Sequence, residues 1–433
     1  MIARPNQLLS RKPLSSSSSA NRADASLTRQ RAFVLFWCAR TFTNVAYMMQ
    51  GVAVGWQLYA LTNNPLDLGL VGLVQFFPLL AMSIIAGQLL DLLDRRLIAA
   101  VCQLGKALAA LALAFGTARG VLSREAMLAI LFLSGTARAF EIPTMHSLLP
   151  GVIPVRLLPR AIAASASAQQ TAVICGPSLG GLLYVLGPTV VYLTCTVLFI
   201  IAGVLIGLVR LLPHARTGSD VRPPVTLATM FAGFHYIRAN PVVLGAISLD
   251  LFAVLLGGVT ALLPIYARDI LQAGPWALGL LRSAPALGAL VTSVVLARRA
   301  IERSAGRIMF AAVGLFGVAS VLFGLSTSIP LSCLALALYG ASDAVSVVIR
   351  QSLVQLRTPS DMLGRVMAVN SLCTGSSGTL GEFRAGTVAA WLGPVASVLV
   401  GGFGAMVVAL VWMWAFPQLR RVDRLAPEPR AAA

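Results

Sequence analysis

The chain has 433 residues, of which 58% are hydrophobic and 11% charged, against roughly 25% charged in ordinary soluble domains. So few charges cannot cover a water-soluble body of this length, which excludes the soluble globular classes. The net charge of +18 suggests nucleic acid, but the basic residues fall in alternate gaps between apolar runs. That is the positive-inside bias, so the expected surface partner is the lipid bilayer and no nucleic acid is expected.

Residues 1–29, with the serine run Ser15 to Ser19, are polar and lack the apolar core of a cleavable signal. They are expected to form a disordered cytoplasmic tail. Apolar runs then recur from about residue 31 to 416, and twelve helices of about 20 to 25 residues account for them. The first span carries Arg40, Asn44 and Gln50 and closes in the turn Thr62-Asn63-Asn64-Pro65. At the end of the second, Gly87, Asp91 and Arg95 recur every four residues, and with Arg96 they are expected to form a cytoplasmic gate loop. The third span carries Lys106. In the fourth, Arg138 and Glu141 are three apart, hence on one face and expected to pair.

The fifth span has Ala172, Gly176 and Gly180 at a spacing of four, with Pro177 and Gly181 beside them. Such a small-residue stripe lets another helix approach closely, and the proline permits a bend. The close contact is expected to control which side of the membrane a cavity opens to. Residues 212–240 are the longest internal connection, a cytoplasmic linker whose Phe231, Phe234, Tyr236 and Ile237 form an amphipathic piece for the inner surface. Beyond it, the seventh span carries Asp250, the tenth Asp343, and the eleventh Glu382 and Arg384, which point to different faces. Arg282 lies near the outer end of the eighth span and is expected to snorkel. The expected organisation is a bundle over 30–211, the linker, a second bundle over 241–417, and a cytoplasmic tail over 418–433.

The two bundles are related. A shift of 205 residues carries Gly135 onto Gly340, Pro154 onto Pro359, Arg160 onto Arg365, Gly176 onto Gly381 and Gly181 onto Gly386. A weaker echo at 207 carries Tyr59 onto Tyr266, Gly72 onto Gly279 and Pro78 onto Pro285. The fold class expected is an all-α polytopic membrane protein of two pseudo-symmetric six-helix bundles.

An ionisable side chain in mid-membrane costs about 2.5 to 3.5 kcal/mol on insertion scales, so those retained must pair or face a cavity. Arg40, Arg138 and Arg384 are the candidate cavity cations. Asp250, Glu141, Asp343 and Glu382 are the candidate proton-coupling carboxylates, with Asp250 first because no neighbour in sequence neutralises it. Asp343 falls on Arg138 under the repeat, which would set opposite charges at equivalent depth around a central cavity. The six cysteines and three histidines show no metal-ligand spacing, so neither a metal nor a cofactor is expected.

Several runs carry a family resemblance. Gly87-Gln88-Leu89-Leu90-Asp91-Leu92-Leu93-Asp94-Arg95-Arg96 resembles the loop signature between helices two and three of the major facilitator superfamily, with Leu92 where many members have arginine. Gly176-Pro177-Ser178-Leu179-Gly180-Gly181 resembles the fifth-helix signature of drug and proton antiporters, with Ala172 where glycine is common. The runs 55–62, 346–359 and 375–386 are similar to the branch of the enterobactin exporter and the transmembrane secretion effectors, with Gly378 where a polar residue is usual. The resemblance spans about residues 30 to 425.

It implies the major facilitator fold in a bacterial inner membrane, both termini cytoplasmic, working as a monomer by alternating access. Its implied partners are protons and a small amphipathic solute, siderophore- or drug-like, exported as protons move inward. Two other classes compete. A membrane-embedded lipid-modifying enzyme would need clustered His, Asp or Ser, and His146, His214 and His235 supply no obvious set. A non-transporting receptor or scaffold would have no need of buried opposing charges. No phosphate-binding Gly-Lys-Ser/Thr loop appears, which disfavours an ATP-driven pump.

Overall fold

The computed structural model describes residues 27, 30–210, 227–299 and 303–423, without the side chains of 83–92, 155, 227–230 and 360. Nearly all of the expected N-terminal tail, much of the linker and the last ten residues lie outside the described residues. Six long helices form the first half: α1 (Arg31–Thr62), α2 (Pro65–Leu92), α3 (Arg95–Ala118), α4 (Arg124–Val152), α5 (Leu158–Tyr184) and α6 (Pro188–Gly207). A linker helix, α7 (Leu227–Ala239), precedes the second half. That half comprises α8 (Pro241–Gly257), α9 (Pro275–Arg298), α10 (Ala305–Leu325), α11 (Ile329–Arg357), α12 (Ser360–Leu392) and α13 (Pro394–Ala415), with one turn, α14 (Pro417–Arg420), after them.

Local chemistry sets many of the ends. Proline occupies the first turn of α5, α6, α8, α9, α11 and α13, where its missing N–H costs nothing. The turn at Thr62 to Pro65 closes with Asn63 left-handed at φ 48°, and Asn64 Oδ1 accepts from Leu66 N at 3.0 Å. An even number of crossings leaves both chain ends on one side, called here the terminal end; the other is the distal end.

Among the described residues, nine of the spans are long and apolar enough to cross a membrane by length and composition. The crossings missing from those nine are α1, α5 and α12. Each lines the cavity between the halves: α1 with Tyr47 and Gln50, α5 with Val173 and Pro177, and α12 with Thr379 and Glu382.

The repeat read in the sequence is a repeat of helix contacts. Gly176 of α5 seats on Val45 and Met48 of α1, and its counterpart Gly381 of α12 seats on Val254 and Leu255 of α8. Gly135 of α4 lies against Gln75 of α2, as Gly340 of α11 lies against Pro285 of α9. The seams between the halves follow the same rule: Gly181 of α5 meets Gly279 of α9, and Gly386 of α12 meets Gly69 of α2, one turn from Gly72. Small residues recur because backbones touch at equivalent points of two similar bundles.

The linker helix packs on the second half. Gly233 lies against Arg365, Tyr236 Oη donates to the Arg357 carbonyl at 2.9 Å, and Ile237 is buried. Phe231 and Phe234 remain exposed.

Candidate functional site

A cavity of about 430 Å³ lies between the halves, lined by α1, α2, α4 and α5 on one side and by α9, α12 and the stretch after α8 on the other. That volume suits a drug-sized solute. One wall depends on a broken helix. At Gly258, φ is 52° and α8 ends; a 3-10 turn (Val259–Leu262), a helical turn (Leu263–Ile265) and a π turn (Tyr266–Ile270) follow. A left-handed residue pressed against the Gly381 carbonyl leaves no room for a side chain. The break frees carbonyls at the end of α8, and Arg384 Nη2 donates to that of Leu256 at 2.6 Å. Beyond it Thr260 turns into the cavity, where its Oγ1 donates to Glu382 Oε1 at 3.0 Å. Discontinuous helices with bound-up carbonyls at a bundle interface are a recurrent way of building transport sites.

Among the described residues, three charges line the cavity: Arg138, Arg282 and Glu382. Both residues from the second half reach toward glycines of the first. A Cβ at Gly72 would stand 2.8 Å from Glu382 Oε2, and one at Gly51 would stand 3.1 Å from Arg282 Nη1. Arg282 and Glu382 interact electrostatically without closing an ion-pair contact. Arg282 donates no hydrogen bond among the described residues, and its buried Nε is unpartnered. Gln50 Oε1, on the facing wall, is also buried and unpartnered. Arg138 stacks 3.7 Å from the ring centroid of Tyr47, whose hydroxyl donates to Gln75 Oε1 at 2.8 Å. Among the described residues the cavity therefore holds net positive charge, an unpartnered donor in Arg282 Nε and an unpartnered acceptor in Gln50 Oε1.

This placement departs from several expectations. Arg282 does not snorkel; it faces the cavity. Arg138 does not pair with Glu141, which instead receives Lys106 Nζ at 2.7 Å and Gln103 Nε2 at 2.8 Å inside the first bundle. Three residues of separation put Arg138 and Glu141 on one broad face, yet the cavity edge and the bundle core divide it. Arg40 lies in the field of Glu141 and His146 and is not among the cavity-lining residues. Arg384 is not among the cavity-lining residues either: its Nη2 holds a carbonyl of α8, while its buried Nε and Nη1 have no partner among the described residues.

Asp250, expected to be unneutralised, meets Arg350 Nη2 at 3.2 Å, and both are buried. Arg350 Nη1 donates further to Asn370 at 2.8 Å and Thr374 at 2.9 Å. Asp343 lies beside Asp250 in a small void of the second bundle, not across the central cavity from Arg138. Removing one partner of such a pair leaves a buried charge alone, at about 3 to 5 kcal/mol. Arg350→Met should therefore lower the thermal unfolding midpoint of the purified protein sharply, whereas Arg350→Met with Asp250→Leu should recover much of the loss.

Gly87 and Asp91 of the gate loop fall where side chains lie outside the described residues. Arg95 Nη1 donates to the Ser147 carbonyl at 3.3 Å, and Arg96 pairs with Asp94 at 3.1 Å and reaches the Val209 carbonyl at 3.1 Å. Both arginines tie the first bundle to itself. In the fifth-helix motif, Ala172 is fully buried, Gly176 and Gly180 seat on α1, Pro177 lines the cavity, and Gly181 forms the seam with α9.

Contacts between the halves gather toward the distal end. Tyr59 Oη donates to Asp269 Oδ2 in a short hydrogen bond, and Arg268 Nη1 donates to Asn63 Oδ1 at 2.9 Å. Val52, Tyr59 and Leu68 share an apolar cluster with Val259, Leu262 and Tyr266. Deeper along the α5–α9 seam, Ser283 Oγ lies 2.9 Å from Ser178 Oγ, and Gln170 Nε2 donates to the Ala286 carbonyl at 3.3 Å. Toward the terminal end, Gly364, Gly375 and Gly378 of α12 have no atom where a side chain would go.

Comparison with known proteins agrees with this architecture. A family model described as transmembrane secretion effector matches residues 23–432. The chain is 25% identical over 406 residues to the enterobactin exporter EntS of Escherichia coli O81 (strain ED1a), covering 93% of this chain and 95% of that one. The enterobactin exporter of Shigella boydii serotype 18 gives the same figures. Among solved structures, a D-xylose-proton symporter superposes with TM-score 0.69 at 12% identity, covering 94% of this chain and 100% of that one. A bacterial homologue of the iron transporter ferroportin in the inward-facing state gives 0.68 at 18%, covering 92% and 100%. The chain belongs to the transmembrane secretion effector family of the major facilitator superfamily: it is a multi-pass membrane protein and a secondary transporter.

Proposed function

We propose that this transporter exports small amphipathic solutes by exchange with protons, and that Glu382 is the coupling carboxylate. The observation that carries the reading is the cavity charge set among the described residues: one carboxylate, Glu382, beside Arg282, a guanidinium with no hydrogen-bond acceptor there. A solute fitting it presents hydroxyl donors to Glu382 and anionic or carbonyl oxygens to Arg282 and Arg138, with a flat apolar part against Tyr47 and Phe76. Siderophore-like polyphenolic molecules have that pattern, and the likeness to enterobactin exporters supports the same class. Ionised Glu382 accepts from the solute; protonated, it has lost that acceptor. Proton and solute thus compete for one group, as exchange requires.

The termini are assigned to the cytoplasm of a bacterial inner membrane. Arg95, Arg96, Arg298, Arg307, Arg357 and Arg420 all lie at the terminal end, against Arg119, Arg124 and Arg268 distally. On this reading the carrier works as a monomer, and the Tyr59–Asp269 bond belongs to the outer seal of its inward-facing form. Tyr59→Phe, which removes the donor, should raise labelling of a cysteine at Thr260 by an impermeant reagent added on the distal face, in a cysteine-free background. Unchanged labelling would remove this bond from the seal.

The test of the function is reconstitution. In vesicles carrying an imposed pH gradient, hydroxylated aromatic acids should move against the proton gradient and collapse it. Movement of neither solute nor protons across a panel of siderophores, dyes and antibiotics would reject the reading.

A further inference from the structure

A second, separate cavity of about 620 Å³ opens on the outer surface of the second half, between α10 and α13. Arg307, Ala311, Gly314 and Val318 line it from α10 at spacings of four, three and four, hence along one face. Met406, Leu410 and Met413 line it from α13 in the same way, and Phe310 and Ala409 form its floor. Its terminal end carries Arg307 and Arg420, both exposed and without an ion-pair or hydrogen-bond partner among the described residues. Gly314 faces open space, with no atom where a side chain would go. The packing of α10 uses other glycines, Gly317 against Gly402 of α13 and Gly306 against Leu419 of α14, so Gly314 serves the groove and not the helix contact.

Length and charge together name the occupant. From Arg307 to Val318 is eleven residues, roughly 16 Å along a helix, which is about half of the ~30 Å hydrocarbon thickness. The groove is thus one leaflet deep, apolar along its length and doubly cationic at the headgroup level. We propose that it binds one anionic phospholipid from the leaflet on the side of the termini. The lipid phosphate sits on Arg307 and Arg420, and an acyl chain lies over Gly314. Basic pockets between transmembrane helices recognise anionic headgroups in this manner. The proposal is independent of what the central cavity transports.

Native mass spectrometry of the full-length detergent-purified protein tests it, with phosphatidylglycerol and phosphatidylcholine of matched chains as probes. The wild type should retain one phosphatidylglycerol with about thirty-fold preference over phosphatidylcholine. Soluble glycerol 3-phosphate should not displace it. Arg307→Gln with Arg420→Gln should lose the preference, and the double lysine variant should keep it. Gly314→Leu should expel the lipid although both arginines remain. The proposal is overturned if the double glutamine variant keeps the preference or if Gly314→Leu leaves the lipid in place. It is equally overturned if glycerol 3-phosphate competes, or if a second copy of the chain covers the groove in detergent.

Discussion

Glu382→Gln should reduce solute-driven proton movement in reconstituted vesicles to the level of protein-free vesicles. Glutamine nearly preserves shape and still offers a carbonyl to Thr260, which donates to Glu382 Oε1 at 3.0 Å, so insertion and folding should survive. What disappears is the one proton-binding group among the described cavity-lining residues. The variant is fixed in the neutral form, so its affinity for solute should be weak and flat with pH. In the wild type the solute favours ionised Glu382, so affinity should rise with pH through the titration of that group and fall as it is protonated. Solute-driven proton flux of wild-type size in Glu382→Gln would transfer the coupling role to another carboxylate, with Asp343 and Asp250 next in line.

Arg282→Gln should weaken solute binding about ten- to a hundred-fold. Charge-assisted hydrogen bonds contribute about 1.5–3 kcal/mol, and each 1.4 kcal/mol is tenfold. The guanidinium donates no hydrogen bond among the described residues, so its removal breaks none and relieves a desolvated charge, losing only the electrostatic interaction with Glu382. The thermal midpoint should therefore stay level or rise while affinity falls, the usual relation where a site is kept unsatisfied for its ligand. A drop in stability with no change in affinity would make Arg282 a structural residue. The same substitution at Arg384, whose Nη2 holds the Leu256 carbonyl at 2.6 Å, should behave in the opposite way and destabilise.

The fold was legible because the repeat is written in glycines. Gly135, Gly176 and Gly181 recur at the shift of 205 since each marks a backbone contact that both bundles make. The partners of the buried charges were not legible, for they come from other helices. Asp250 finds Arg350 a hundred residues on, and Glu141 finds Lys106 across the bundle instead of its neighbour Arg138. A pairing rule based on spacing along one helix cannot see such contacts. Arg282 did carry a usable signal: seven residues past Pro275 puts it roughly 10 Å below the helix end, deep for an arginine expected to reach the surface. The distal seal was hidden for the same reason as the ion pairs, since Tyr59 and Asp269 are 210 residues apart. The echo of Tyr59 in Tyr266 pointed to the right region but not to the role, because Tyr266 donates within its own half, to the Gly324 carbonyl.

Competition between a solute hydroxyl and a proton for one carboxylate is measured most directly as proton release on binding. A bound solute should drive protons from the detergent-purified wild type into weakly buffered solution near the titration of Glu382, and none from Glu382→Gln. Solute that binds the wild type with no change in bound protons, or that releases as many from the glutamine variant, would contradict the exchange mechanism.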